Sequence, residues 1–185
     1  RKEANLFLRK ECENVTGNVL HVGSRTDYDK MGKFYKWYFK KCKSYKTLDI
    51  EGDVDFIQDI TNMKDLKDNT FDAILCTWVL EHIKSVENAI SEIVRILKPG
   101  GMFFFSVPTT IPFHGYPNDY WRYRGQDIFL LLKDLTIIKL KSVGKIEKVN
   151  DIKEIDKKLK WFSKNVFYKS DLPEGWVGVA VKRRS

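Results

Sequence analysis

Residues 71–107 constrain the fold more than any other stretch of this chain, because they spell strand, helix and strand in immediate succession. Phe71 to Thr77 (FDAILCT) is a short apolar run of strand type. Ser85 stands where a helix N-cap belongs. Val86, Ala89, Ile90, Ile93, Val94 and Leu97 then recur at steps of three and four, one apolar stripe along a helix. Lys98, Pro99, Gly100 and Gly101 stop it, since glycine takes the left-handed conformation and proline cannot continue a helix. Met102 to Val107 (MFFFSV) is apolar on both faces, as a central parallel strand must be.

The rest of the chain repeats the alternation. Charges around Leu6 and Phe7 suggest an N-terminal amphipathic helix, and Asn18 to Val22 is a strand stopped by Gly23. Met31, Phe34, Tyr35, Tyr38, Phe39 and Cys42 fall at helical spacing, which predicts a helix there. Tyr45 to Ile50 and Val54 to Ile57 read as strands, Gln126 to Leu132 as a helix and Thr136 to Leu140 as a strand. Asp151 to Asn165 reads as a helix and Trp176 to Val181 as a closing strand. Strands alternating with helices imply an α/β domain, a parallel sheet with helices on both faces, and 185 residues suit one such domain over the whole chain. Ligands of these sheets bind outside the carboxyl ends of the strands. Gly23, Asp49, Asp59 and Thr77 each follow a strand, so they are expected to line one crevice.

Composition removes several classes of function. Cys12, Cys42 and Cys76 are odd in number and widely spaced, which argues against a disulfide framework or a zinc site of cysteines. No apolar run reaches the roughly 20 residues of a membrane span, and a cytoplasmic location is expected. The net charge of +8 comes mostly from scattered lysines. Seven of them, between Lys30 and Lys46, alternate with aromatics, either as the solvated side of an amphipathic helix or as a platform for nucleic acid.

The loop after the first strand decides between nucleotide ligands. A dinucleotide needs a GxGxxG turn for its pyrophosphate, and Gly23-Ser24-Arg25-Thr26-Asp27 lacks it. A sulfonium nucleoside without phosphate needs close backbone approach, a carboxylate for ribose hydroxyls and acceptors for an amino group. Phe71 to Gly101, with Leu80-Glu81-His82 and Lys98-Pro99-Gly100-Gly101 at this spacing, resembles the Rossmann-like S-adenosylmethionine-dependent methyltransferases of the "LEH…LKPGG" branch. The resemblance runs from about Asn18 to about Leu132. It implies a Rossmann-like, doubly wound, mostly parallel sheet and S-adenosyl-L-methionine as cofactor. It also implies that Gly23, Ser24 and Arg25 touch the methionine end with His21 beside them, that Asp49 and Ile50 bind the ribose and Asp59 and Ile60 the adenine, and that Thr77 and His82 line the methionine portion. In that family an acidic residue usually stands at the place of His21, and glycines at those of Arg25 and Asp27.

Pro112 to Tyr123 (PFHGYPNDYWRY) resembles a segment of relatives associated with glycan biosynthesis, which implies a glycan-precursor acceptor such as a nucleotide sugar. Tyr116, Tyr120 and Trp121 would stack on the acceptor, and Arg122 and Arg124 would hold its anionic groups. His114, Asp119 and His82 are the candidate bases for a hydroxyl or amine that loses a proton. No metal is expected. An RNA methyltransferase, favoured by the basic charge, and a non-catalytic cofactor-binding partner subunit, favoured by the altered glycine loop, stay open as alternatives.

Overall fold

A computed structural model describes residues 1–114, 118–144, 147–148 and 171–184. In chain order the strands are β1 (Thr16–Val22), β2 (Lys41–Asp49), β3 (Phe56–Ile57), β4 (Phe71–Thr77), β5 (Leu97–Pro108), β6 (Leu135–Val143), β7 (Glu147–Lys148), β8 (Asp171–Leu172) and β9 (Gly175–Lys182). The α-helices are α1 (Lys2–Cys12), α2 (Val86–Ile96) and α3 (Gly125–Leu131). A seven-stranded sheet has the order β3-β2-β1-β4-β5-β9-β6, and β7 and β8 form a separate two-stranded ribbon. The pairs from β3 to β5 are all parallel, whereas β9 runs antiparallel to both β5 and β6. The order reverses between β1 and β4, the switch point at which such sheets bind ligands.

The alternation of side chains along β4 explains the two layers. Ile74 and Cys76 point into a core closed by α2, with Ile90, Ile93 and Phe103, and by α3, with Ile128. Ala73 and Leu75 point into the opposite core, closed by α1 through Leu8 and by Tyr35, Tyr38 and Phe39. Helix α2 keeps most of its predicted stripe: Val86, Ala89, Ile90 and Ile93 are buried, together with Ile96, whereas Val94 is half-buried and Leu97 already opens β5. Ser85 does occupy its N-cap, but its backbone carbonyl rather than its hydroxyl accepts the amides of Asn88 and Ala89.

One predicted element is corrected. The aromatics between Met31 and Cys42 do not lie on an α-helix: only Tyr35–Tyr38 forms a 3-10 turn, and Cys42 already belongs to β2. Asp29 accepts the backbone N–H of Met31 at 2.6 Å and of Lys33 at 3.0 Å, together with the Tyr38 hydroxyl. These local bonds compete with helical ones, and Gly32 is left-handed at φ +73°. The spacing of three and four reported burial correctly but conformation wrongly. The third strand keeps only Phe56–Ile57 of the predicted Val54 to Ile57. The helix predicted over 151–165 lies outside the described residues.

Candidate active site

The carboxyl ends of four neighbouring strands form one row. Val22 pairs with Leu48 on one side and with Cys76 on the other, and Thr77 pairs with Ser106. Gly23, Asp49, Thr77 and Ser106 therefore stand side by side, about 4.8 Å apart from strand to strand. Gly23 is confined twice over. Its φ of +75° is left-handed, and a Cβ there would lie 2.1 Å from Val79 Cγ2. Its N–H donates to Leu48 O at 2.8 Å, tying the loop to the adjacent strand.

A cavity of about 190 Å³ opens beside this glycine, lined by His21, Gly23, Asp27, Tyr35, Thr77 and Trp78 among others. His21, 2% exposed, places Nδ1 2.8 Å from Asp27 Oδ1 and 2.9 Å from the Tyr45 hydroxyl. Tyr45 also donates to Asp27 Oδ1, at 2.6 Å. The three side chains form one hydrogen-bonded group, of which His21 and Asp27 line the cavity. Burial, and then the nearby charge of Asp27, pushes the Tyr45 hydroxyl far above its ordinary range. Tyr35 is also raised by burial, against a hydrogen bond with Thr77 that lowers it. Asp27 sits at φ +47°, where Asp is tolerated better than most non-glycine residues. Sequence reasoning missed Asp27, Tyr35, Tyr45 and Trp78. Asp27 carried a signal, an Asp at a position where the resemblance expects glycine. The aromatics did not: Tyr35 read as part of a helix face, Tyr45 as the start of a strand, and Trp78 only as the residue after Thr77.

The remaining cofactor candidates lie along the row but do not line that cavity. Asp49 is half-buried. One of its oxygens accepts the Arg25 N–H at 3.0 Å and the other the Ile50 N–H at 2.7 Å, and each oxygen keeps a further lone pair. The Arg25 guanidinium reaches Glu51 at 2.6 Å. Ser24 is buried, its hydroxyl donating to Leu48 O. Asp59 caps the following turn through the Thr61 N–H and hydroxyl, while Ile60 is buried and Ile50 exposed.

Two motifs distant in sequence meet at the other end of the row. The turn Leu80–His82 receives the segment after β5: Tyr120 and Trp121 donate backbone N–H groups to Glu81 O, the Trp121 indole donates to Ile83 O, and the Tyr123 hydroxyl donates to Leu80 O. His114 and His82 rings meet edge to face, 5.1 Å apart. Arg122 grips Asp119 with both terminal nitrogens, and the His114 N–H donates to the same carboxylate at 2.8 Å. Burial opposes ionisation of Asp119, but the guanidinium and this amide outweigh it and hold the carboxyl below its ordinary value. Arg124 pairs with Asp127 at the start of α3. Tyr120 is exposed, and Tyr116 lies outside the described residues. A second cavity, about 330 Å³, is lined by Arg1, Thr110, Ile111, Pro112 and Glu174, and Arg1 also lines the first. Glu81 is fully buried, and burial pushes its carboxyl up to about 7.

The sequence and the fold have counterparts among known proteins. Residues 32–105 match the family described as "Methyltransferase domain". The matched stretch begins just after the altered loop at Arg25 and Asp27. The thiol S-methyltransferase TMT1B of Rattus norvegicus is 46% identical over 44 residues, 24% of this chain and 18% of the relative. The demethylmenaquinone methyltransferase of Streptomyces avermitilis is 39% identical over 57 residues, 29% of this chain and 25% of the relative. The chain thus aligns with a quarter or less of the length of these curated relatives. A structure titled a putative methyltransferase from Bacillus halodurans superposes with a TM-score of 0.66 at 16% identity, covering 97% of this chain and 99% of that one. The N-methyltransferase NodS of Bradyrhizobium japonicum, solved with S-adenosyl-L-homocysteine, gives 0.64 at 15% identity, covering 98% and 86%. The mixed α/β sheet with its mostly parallel strands is the Rossmann-like fold of these methyltransferases.

Proposed function

We propose that this chain is an S-adenosylmethionine-dependent methyltransferase acting on a small molecule through a hydroxyl or amine. The single observation that carries the reading is the row of strand ends, in which Gly23 leaves room where a Cβ would not fit and Asp27, Asp49 and Thr77 present acceptors. That donor set suits the cofactor. The left-handed glycine admits close approach, Asp27 and Thr77 face the methionine end with its cationic groups, and the spare lone pairs of Asp49 accept the ribose hydroxyls. Asp59 and Ile60, further along, contact the adenine. Asp27 takes over the role of the acidic residue that the family has at the place of His21, because His21 holds that carboxylate in the cavity.

When bound, S-adenosylmethionine supplies an activated methyl, so the protein's task is to position the reactants and exclude water. The second cavity, beside the first and sharing Arg1 with it, receives the acceptor. Two details bear on what the acceptor is. Arg122 is occupied by Asp119 and Arg124 by Asp127, which argues against the pair of arginines gripping the phosphates of a nucleotide sugar. The curated relatives are named for small acceptors, a thiol and demethylmenaquinone. Asp119, held ionised by Arg122, is a positioning group rather than a base, and deprotonation of the acceptor falls to the cluster of Glu81, His82 and His114. The test is turnover of radiolabelled S-adenosylmethionine against panels of small thiols, phenols, amines and glycan precursors, with RNA as a separate arm. Label transfer to a small acceptor supports the reading. Label transfer to RNA alone, steeply lost with salt, overturns the acceptor class.

A further inference from the structure

The Leu80–His82 turn and the segment after β5 bring together three side chains whose chemistry is that of a metal site. One ligand atom from each of Glu81, His82 and His114 lies within 4.8 Å of the other two, and Glu81 Oε1 is 3.9 Å from His82 Nε2. A tetrahedral zinc ion with bonds of about 2.0–2.1 Å holds its ligands about 3.4 Å apart, so modest closure completes the set.

A second, independent observation points to a ligand. Glu81 is 0% exposed, yet neither of its carboxylate oxygens has a hydrogen-bond partner among the described residues. A buried carboxylate without partners is costly, and native structures avoid it unless something unseen satisfies it. The histidines are prepared in a complementary way. His82 Nδ1 faces Asn118 O, and His114 Nδ1 faces Pro112 O at 3.0 Å. A carbonyl only accepts, so each ring is fixed with its proton on Nδ1 and its lone pair on Nε2. Metal-binding histidines are commonly oriented in this way. Asp119 Oδ2, 3.4 Å from His114 Nδ1, adds a carboxylate behind that ring.

We infer that Glu81, His82 and His114 bind a divalent first-row transition-metal ion of the zinc class. Two imidazoles and one carboxylate are a ligand set of catalytic zinc sites, which keep a position open for a further ligand. Exposure rises from Glu81 at 0% through the His82 side chain at 16% to that of His114 at 38%, so the open position faces the His114 side, where the acceptor segment runs. An ion there would bind an acceptor oxygen or nitrogen and favour loss of its proton to solvent, the three side chains then acting as ligands in place of a base; this use rests on the methyltransferase reading, whereas the binding itself does not.

The experiment is titration of the tag-free, chelator-treated full chain with zinc by calorimetry and with cobalt(II) by visible spectroscopy. S-adenosyl-L-homocysteine binding is measured in parallel. The expected result is one equivalent of either metal, with cobalt d–d bands of a four- or five-coordinate nitrogen–oxygen site. His114→Ala, on the open side, and the isosteric Glu81→Gln should each weaken binding at least about tenfold. Zinc should raise the thermal midpoint of the parent but not of His114→Ala, which also guards against a variant that fails to fold. Absence of saturable binding overturns the site. So does binding untouched by His114→Ala, or an intense near-ultraviolet sulfur-to-cobalt band, which would place the metal on a cysteine. A chain that binds S-adenosyl-L-homocysteine but no metal refutes this inference alone; one that binds metal but no S-adenosyl-L-homocysteine refutes only the cofactor reading.

Discussion

Two crossovers leave the same edge of the sheet, one from β1 to β2 and one from β4 to β5, and they are held by opposite physics. The β4–β5 crossover is an apolar lever: α2 buries Val86, Ala89, Ile90, Ile93 and Ile96, each burial contributing about 1–3 kcal/mol. The β1–β2 crossover has no α-helix. Its backbone is organised by carboxylates, Asp29 gathering the Met31 and Lys33 amides with Tyr38, and Asp27 gathering His21 with Tyr45. One connection supplies stability, and the other places charge and hydrogen-bonding groups around Gly23, where a ligand must be recognised.

The largest effect should come from the apolar crossover. Ile93→Ala removes a fully buried side chain and is expected to cost about 2–5 kcal/mol in denaturant unfolding, with cofactor affinity of the folded protein unchanged. A cost below about 1 kcal/mol would mean that α2 is not the lever described. Gly23→Ala comes next. Left-handed strain costs about 1–3 kcal/mol, the added Cβ must displace Val79, and cofactor binding should disappear even where calorimetry shows the variant folded. If Gly23→Ala binds like the parent, the close approach is not needed.

The asymmetry between the crossovers also decided what was legible in the sequence. The bounds of β4 and most of the stripe of α2 followed from apolar periodicity, because burial against a sheet is what those residues do. The segment 31–42 has the same spacing and buries Tyr35, Tyr38 and Phe39 too, but Asp29 and Gly32 impose a turn that no periodicity encodes. In the candidate site, Gly23 and Thr77 could be placed from strand ends alone. The partnership of His21 with Asp27, and the seizure of Asp119 by Arg122, could not, because they depend on which side chains meet across a loop.

Asp49→Ala sharpens the comparison on the ligand side. Charge-assisted hydrogen bonds of about 1.5–3 kcal/mol are at stake, so cofactor affinity should fall at least about tenfold while the unfolding midpoint moves little. An unchanged dissociation constant would reduce Asp49 to a cap for the Arg25 and Ile50 amides. The smallest effect concerns acid. Burial opposes ionisation of Asp29, but Tyr38 and the Lys33 and Met31 amides outweigh it and lower its pKa in the folded state. Its stabilising effect is therefore complete above the unfolded value, about 3.9, and is lost as pH falls through the lower folded value. Asp29→Asn should cost about 1–2 kcal/mol at neutral pH and flatten the acid limb of stability against pH. An acid limb identical to the parent's would place the acid sensitivity elsewhere.

The most direct test of the account is calorimetric titration of the parent chain with S-adenosyl-L-homocysteine, repeated with Asp27→Asn. Saturable equimolar binding to the parent is expected, with affinity at least about tenfold weaker once the carboxylate beside His21 is replaced by an amide. Absence of heat and of any thermal shift at millimolar ligand would contradict it, and binding indifferent to Asp27 would show that the cavity beside Gly23 does not hold the methionine end.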